Sequence, residues 1–495
     1  MLLLAGRKAL RDFEFHRGEP KIPKSSLDGA RESVFIQGAT REETRQKRQV
    51  ILLGDKRLAQ RLRLSRGEEL DAVGLTKRTA IIRVFASVVR VAADPWIRGI
   101  DEDGGKAEAT LKSIGDECAK VFYYKDEQTP HTTATGEYYR DTIFRYDGAV
   151  LFPSRLAGML RKPKAKQGKT ESDEADLLDQ DERAALERIR DELLPSLQKQ
   201  LGYGEPEPYL AILVADGDRM GKTLSAIKAL EKHQVFSQQL TKFAGKAREI
   251  VTEHNGCLVY AGGDDILAFV PVDRCLDCAR ALHDQFGDLL KDYEDGMGQP
   301  PTLSVGIAIG HCMEPLEDLL QYARDAEKSA KEPDRNGLAV HLHTRGGPPV
   351  CIRAPWVDGP DAQQSLDKRL LKWAGMHLEE QLSDKAVYDL RELATEYAGW
   401  PRSAQTDQAI KKDIARLLSR KKAGGENLDT NQFNKELEAC FTAAERVNVE
   451  YQDTFLDHHP GVMRLAAEWL VARKIARVMR QAQRKKASTH EGSQP

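Results

Sequence analysis

The sequence is poor in cysteine and aromatic residues, and its charges nearly cancel. Only 7 of its 495 residues are cysteines, and 6% of the 495 residues are aromatic. The formal net charge is −2. An odd set of scattered cysteines is typical of reduced thiols rather than of a disulfide framework, which indicates a cytoplasmic protein. The near-zero charge gives no overall field that would attract nucleic acid, so any RNA contact must come from local basic patches.

Long apolar runs are also missing. No stretch reaches the ~18–20 apolar residues that a membrane-spanning helix needs. The apolar residues 1–5 are too short for a signal peptide, and Arg7 and Lys8 follow them. The sequence therefore predicts a cytoplasmic location without a membrane partner.

The length suggests three or four domains, at ~100–200 residues each. We expect a central domain of strands and helices at 208–350, because strand and helix patterns are most distinct there. A polar run at 162–176 changes from basic to acidic and is typical of a linker. The predicted units are a mixed α/β region at 1–160, a linker and helix at 161–207, the central domain at 208–350 and a helical domain at 351–495.

The central domain shows an alternating order of strands and helices. The apolar run Tyr209–Ala215 predicts a buried strand that stops at Asp216. Two further strand patterns flank the turn 262–265 and predict a hairpin. With the helices and strands that follow, the order is βαββαβ plus one strand, which predicts an α+β, ferredoxin-like fold.

Three carboxylates fall where a βαββ sheet brings strand ends together. Asp216 ends the first strand, and Asp264 and Asp265 lie in the hairpin turn. Mg²⁺ prefers carboxylate oxygens and usually takes one or two from the protein, with phosphate and water completing its shell. The carboxylates therefore predict a site for Mg²⁺ or Mn²⁺ that serves nucleotidyl transfer.

Glycines accompany these carboxylates. Gly262 and Gly263 permit a tight turn, and Gly217 and Gly221 precede and open the next helix, whose amides suit phosphate. Each pattern alone has a structural interpretation without a function. The Gly-Gly-Asp-Asp segment could be only a hairpin turn, and the Asp-x-Asp segment after the strand could be only a helix N-cap. Their joint occurrence within one ferredoxin-like order favours a functional site.

These residues carry a resemblance to a known family. The segments 216–222 (Asp-Gly-Asp-Arg-Met-Gly-Lys) and 262–265 (Gly-Gly-Asp-Asp) resemble the second Palm domain of the large subunit of type III CRISPR complexes, in particular the Cmr branch (type III-B). Three further segments are similar to family segments: 69–78 to a zinc-knuckle segment, 147–156 to the stretch before the second Palm, and 330–337 to the AKxxGRN stretch.

The resemblance implies a function and a set of partners. It implies a Palm that converts ATP into 3′,5′-linked cyclic oligoadenylates, second messengers of antiviral defence, when target RNA pairs with guide RNA. The implied partners are other type III subunits, both RNAs and ATP, and the helical domain would dock small subunits and the RNA duplex. Three basic clusters are candidates for RNA backbone contact, with a solvated surface as the alternative interpretation of each: 162–169, 411–412 together with 420–422, and 473–486.

The resemblance also implies roles for single residues. Asp216 and Asp264 would hold the catalytic metals, with Asp265 as the adjacent carboxylate. The other implied nucleotide-binding positions are Gly217, Arg219, Met220, Gly221, Gly262, Gly263, Lys331 and Arg335. Lys331 and Arg335 correspond to cations that bind the triphosphate; their alternative interpretation is a solvated helix end.

The chain departs from the family in its nuclease and first Palm domains, which are not recognisable. His283-Asp284 and 457–459 lack the further ligands of a histidine–aspartate nuclease, so we expect them to be structural and expect no nuclease activity. A second Palm must then come from another polypeptide or another copy, unless the chain is a fragment. The start at Met1 favours a truncated or split subunit.

The zinc knuckles of the family are also degenerate. Their cysteine positions correspond to 2–6 and 71–74, which contain no cysteine, and structural zinc normally needs four Cys or His ligands. The remaining pair, Cys275 and Cys278, has no partner pair and is interpreted as core packing. We therefore expect no zinc.

Two other functions stay open. The chain is alternatively a diguanylate-cyclase-like enzyme that acts as a homodimer, although the GGDD turn and the lack of a sensor domain argue against it. It is alternatively a catalytically silent, nucleotide-binding scaffold. The clustered carboxylates argue against that, because like charges repel unless a cation lies among them.

Overall fold

The structure is a computed structural model. It describes residues 32–34, 70–80, 86–101, 107–121, 148–160, 180–202, 204–356, 365–397, 399–401, 403–420, 438 and 460–483. Among the described residues, no helix combines the length and the apolar character that crossing a membrane requires.

A six-stranded sheet forms the centre of the described residues. Its strands are β1 Tyr209–Gly217, β2 Cys257–Ala261, β3 Ile266–Val270, β4 Leu303–His311, β5 Gly337–Leu342 and β6 Val350–Pro355. The spatial order is β2-β3-β1-β4-β5-β6. Only β4 and β5 pair in parallel; the other neighbours are antiparallel. The first four strands have the ferredoxin-like order, so the predicted α+β fold is confirmed.

Helices precede, interrupt and follow the sheet. Before it come α1 Ala72–Ala80, α2 Val88–Asp101, α3 Glu108–Val121, α4 Pro153–Met159, α5 Gln180–Arg188 and α6 Leu194–Leu201, with a π-helical turn Ile189–Leu193 between the last two. Between the strands come α7 Met220–Ala226, α8 Leu230–Glu253, α9 Cys275–Leu290 and α10 Leu316–Lys331. After it come α11 Leu366–Leu378, α12 Asp384–Tyr397, α13 Ala404–Arg420 and α14 Pro460–Ala482.

Strand β1 is buried on both faces, which explains its continuous apolar sequence. On one face, Ala211 and Leu213 belong to the core that includes α8 and α9. On the other face, Leu210 and Ile212 belong to a core shared with α10 and the N-terminal helices. Because side chains alternate along a strand, Asp216 lies on the α10 face, at the end of β1.

Helix α10 packs very closely on β4. A Cβ atom added at Gly306 would overlap the backbone of Ala326 and Glu327. Only glycine leaves room for a helix backbone at this position of the strand. The close approach holds the C-terminal half of α10 over the sheet, next to the end of β1.

The C-terminal helices continue the core on the opposite face. Residues of α11, α12 and α14 share one apolar cluster with the sheet. The rings of Trp373 and Trp469 lie 5.5 Å apart within it, and Arg369 forms a buried ion pair of 2.6 Å with Glu468. The sheet itself runs past the predicted boundary at residue 350, because β6 spans Val350–Pro355 and pairs with β5.

The predicted zinc-knuckle positions fall in two places. Residues 2–6 lie outside the described part of the chain. At the second place, the Asp71 carboxylate accepts a hydrogen bond of 2.6 Å from the Gly74 amide at the first turn of α1. Two positions that correspond to cysteines thus form a helix N-cap here.

Candidate functional site

The hairpin turn packs directly against the end of β1. A Cβ atom added at Gly217 would lie 2.8 Å from Asp264 Cβ and 3.1 Å from Asp264 Oδ2. Such distances are too short for any side chain, so Gly217 permits the close approach. The structure therefore brings Asp216, Gly217 and Asp264 together, as the strand order predicts.

The turn depends on its glycines. The Gly262 amide donates a hydrogen bond of 2.9 Å to the Asp265 carbonyl, which closes the hairpin. Gly263 has a φ of 88°, in the left-handed region that favours glycine. A Cβ atom at Gly262 would overlap the hydroxyl of Tyr260, which folds over the turn. The turn that presents Asp264 and Asp265 thus depends on Gly263 for its backbone conformation, whereas a Cβ atom at Gly262 would require the exposed Tyr260 side chain to move.

Asp265 shares a proton with Asp216. The hydrogen bond between the two carboxyl groups, burial, and the negative charges of Asp216 and Asp264 raise the pKa of Asp265 to about 7. Burial and the charge of Asp216 also raise the pKa of Asp264. Two carboxyl groups in this contact must bind a proton or a cation, because like charges so close are unfavourable.

Lys331 supplies a positive charge at the same place. It is the last residue of α10, and its ammonium contacts Asp216 and lies 2.6 Å from Glu327 Oε1. Burial tends to raise the pKa of Asp216, but the hydrogen bonds with Asp265 and Lys331 outweigh it, so this pKa is lowered. Burial opposes the charge on Lys331, and its bonds to Asp216 and Glu327 nevertheless raise its pKa.

Asp218 lies beneath the surface of the site and was not among the predicted site residues. It is fully buried, and its Oδ2 accepts hydrogen bonds from Thr302 Oγ1 and Ser304 Oγ, both 2.8 Å long. The Asn336 amide donates a third, of 3.0 Å, and Arg335 Nη1 lies 3.6 Å from Oδ1. The two predicted cations, Lys331 and Arg335, thus meet the two ends of the Asp216–Asp218 segment.

The arrangement fits a divalent cation of the Mg²⁺ class. All the donors are hard carboxylate oxygens, and the proton shared by Asp216 and Asp265 occupies a place that a cation can take. Within the described residues, no group of three or more His, Cys, Asp or Glu side chains is arranged to hold a metal alone. Mg²⁺ does not need one, since it keeps waters and binds phosphate.

The predicted phosphate-binding segment lies beside the carboxylates. Arg219 has a φ of 60° and precedes α7, and its guanidinium donates to Gln299 Oε1. The Met220 side chain packs against Gly217, where an added Cβ atom would lie 2.9 Å from Met220 Cγ. Gly221 instead lines an open cavity together with Lys222 and other residues of α7. The role of this segment in phosphate binding stays a prediction. Helix α7 is short, with 7 residues.

Two patterns interpreted as structural are buried. Cys275 and Cys278 lie in the core, where burial raises the pKa of both thiols. His283 has 7% of its surface exposed and contacts Asn336 and Asp284. These positions agree with a packing role for all three side chains.

The region that contains the site matches one family model. Residues 209–339, which span every predicted site residue, match the model described as the second palm domain of Cas10/Cmr2. The chain carries a Cas10/Cmr2 Palm domain. It is 31% identical over 245 residues to the CRISPR system Cmr subunit Cmr2 of Pyrococcus furiosus, a match over 43% of this chain and 27% of that protein.

Solved structures extend the likeness in fold. A type III-B Cmr-beta complex bound to cognate target RNA contains a chain that matches 86% of this chain and 56% of its own length, with a TM-score of 0.50 and 13% identity. The apo state of Cmr-beta matches 87% of this chain and 57% of its own, with a TM-score of 0.46 and 13% identity. The chain therefore spans about a quarter of the curated relative and about half of the structural ones. The predicted relationship to the type III-B large subunit is confirmed by the family model and by the Cmr2 relative.

Proposed function

We propose that the Cas10/Cmr2 Palm of this chain joins ATP molecules into cyclic oligoadenylates within an RNA-guided type III CRISPR complex. The observation that carries the proposal is the convergence of Asp216, Asp264 and Asp265 at one edge of the sheet, where Asp216 and Asp265 share a proton. Mg²⁺ or Mn²⁺ would take the place of that proton. The family relationship supports ATP as the substrate and the other type III subunits, guide RNA and target RNA as partners.

The carboxylates and the cationic side chains have different roles in this proposal. Asp216 and Asp264 would hold the cation, and Asp265, once ionised, would add negative charge beside it. When bound, such a cation polarises the phosphate and lowers the pKa of the attacking hydroxyl. Lys331 and Arg335 bind and orient the triphosphate, since each is a cation at the edge of this site. Gly217 and Gly262 keep side chains away from the place where the nucleotide lies.

The reaction requires an acceptor nucleotide as well as a donor. We propose that a second Palm, supplied by a partner polypeptide or by another copy, holds the second ATP. The 3′-hydroxyl of one nucleotide then attacks the α-phosphate of the other, a new 3′,5′ phosphodiester forms, pyrophosphate leaves, and the hydroxyl proton passes to solvent. The reaction is balanced without a further reactant.

The test is a product assay with labelled nucleotides. The chain, alone and assembled with its neighbouring subunits, guide RNA and target RNA, is incubated with Mg²⁺ or Mn²⁺ and either ATP or GTP. We expect oligoadenylates from the assembled complex and none from Asp264→Ala/Asp265→Ala. Asp288→Asn, an exposed carboxylate on α9 outside the site, is the matched control and is expected to retain activity.

The same assay separates the alternatives. Turnover of GTP without ATP contradicts the proposal and supports a diguanylate-cyclase-like enzyme. No turnover in the assembled, RNA-bound complex supports the silent scaffold, in which the Lys331 ammonium neutralises Asp216 permanently.

A further inference from the structure

The turn that follows α10 adopts an unfavourable backbone conformation. Arg335 and Asn336 have φ angles of 68° and 45°, and neither is glycine. The left-handed region carries a steric cost for Arg335, whereas asparagine enters it more easily, so the surroundings must hold Arg335 there above all. The same turn carries Arg335 and directly follows Lys331, the two cations next to the carboxylates.

Asn336 is held at three points. Its backbone amide donates a hydrogen bond to Asp218 Oδ2 (3.0 Å), and its backbone carbonyl accepts one from the backbone amide of Trp356 (2.8 Å). Its side-chain Oδ1 is hydrogen-bonded to His283 Nε2 (3.0 Å). The Arg335 amide also donates to the Lys331 carbonyl at 2.9 Å. The backbone amide, the backbone carbonyl and the side-chain oxygen of Asn336 thus each have a partner.

Asp218 and His283 anchor the turn to two different elements. Asp218 follows β1 and is fully buried, with Thr302 and Ser304 fixing its carboxylate. His283 lies on α9, and its ring packs on Trp356 with centroids 4.6 Å apart. A turn on the surface needs neither a buried carboxylate nor a buried histidine to hold it. The contacts of both side chains with Asn336 therefore indicate that the position of this turn is important.

We propose that Asp218 and His283 are positioning residues that fix the Arg335–Asn336 turn, so that Lys331 and Arg335 face the triphosphate. The proposal rests on the proposed function of the carboxylates. Neither residue touches the reacting atoms. Losing either anchor leaves Asp216, Asp264 and Asp265 in place but lets the cations drift, which weakens ATP binding more than it slows the chemical step.

Trp356 extends the anchoring toward the C-terminal helices. The Arg280 guanidinium lies 4.3 Å from the Trp356 ring and forms two hydrogen bonds, of 2.9 and 3.0 Å, with the Asp367 carboxylate on α11. The turn beside the site and the first C-terminal helix therefore share one support. This explains why His283 and Arg280, three residues apart on α9, flank the same tryptophan.

The experiment compares three variants of His283 and Asp218 with Asp288→Asn on the same helix. His283→Ala removes the bond to Asn336, His283→Gln retains a donor for it, and Asp218→Asn removes the buried charge. Two quantities are measured in the assembled complex: amide hydrogen exchange of residues 334–337, and KM and kcat for ATP. Exchange is measured without nucleotide.

For His283→Ala we expect exchange at 334–337 to speed up about fivefold or more and KM to rise about fivefold, with little change in kcat. His283→Gln should restore both, and Asp288→Asn should change neither. Unchanged exchange, an equal loss in the glutamine variant, or a fall in kcat without a rise in KM would overturn the proposal. If the wild-type complex turns over no ATP, the proposed function fails, and the exchange rates alone decide whether the anchors hold the turn.

Discussion

The shared proton of Asp216 and Asp265 makes metal binding depend on pH. A cation that binds these carboxylates must displace the proton, so its apparent affinity rises as Asp265 ionises. Replacing Asp265 by asparagine removes the titrating group but keeps the shape of the side chain. We therefore expect the wild-type chain to bind Mn²⁺ more tightly as the pH rises from 6 to 8, and Asp265→Asn to lose most of that dependence.

The size of the effect follows from the pKa of Asp265, which is about 7. At pH 6 the protonated form outnumbers the ionised form by about 10 to 1, and at pH 8 the ratio is reversed. The Mn²⁺ dissociation constant should therefore fall by up to about tenfold between these values. Because Asp265 is exposed, solvent screening makes tenfold an upper bound.

In the metal-free chain, the stability of the fold should fall as the pH rises, whereas the affinity for Mn²⁺ increases. A carboxyl group whose folded pKa is raised stabilises the fold while it is protonated, and this contribution disappears as the pH rises through about 7. Thermal unfolding without metal should thus show lower stability at pH 8 than at pH 6, and less difference in Asp265→Asn.

Isothermal titration with Mn²⁺ in two buffers of different ionisation enthalpy measures both affinity and proton release. About one proton should leave at pH 6 and almost none at pH 8 in the wild-type chain. A pH-independent affinity, or an unchanged pH dependence in Asp265→Asn, would refute the shared-proton account.

Three further substitutions test other parts of the structure. Gly306→Ala, which places a Cβ atom into the backbone of α10, should lower the unfolding free energy by about 1–3 kcal/mol in urea titrations, whereas Gly287→Ala on α9, which meets no atom, should not destabilise. Lys331→Met should tighten Mn²⁺ binding without nucleotide, because the competing ammonium is gone, and should raise the KM for ATP about tenfold. Arg369→Met removes one of two buried cations beside Glu468 and should cost about 1–3 kcal/mol of stability by thermal unfolding, because Arg464 stays 3.5 Å from the Glu468 carboxylate.

The sequence predicted the parts of the site that depend on local pattern. An apolar run that stops at Asp216 and a glycine turn that holds Asp264 and Asp265 are both visible within short segments. The order of strands then sufficed to bring these segments together. Lys331 entered only through the family resemblance, since nothing local distinguishes it from a solvated helix end.

The anchors of the site escaped prediction because they act across long sequence distances. Asp218 and Asn336 are 118 positions apart, and His283 and Asn336 are 53 apart. No periodic pattern encodes such contacts. Strand β6 was missed for another reason: its alternation of buried Ile352 and Ala354 with less buried neighbours covers only 6 residues and stands in a proline-rich stretch.

The most direct test of the central claim is the mass spectrum of the products that the assembled, target-RNA-bound complex forms with Mg²⁺. We predict oligoadenylates from ATP, none from 3′-deoxy-ATP, which lacks the attacking hydroxyl, and none from ATP with Asp216→Asn. Oligoadenylates that persist in Asp216→Asn, or a wild-type complex that forms none from ATP, would contradict the account.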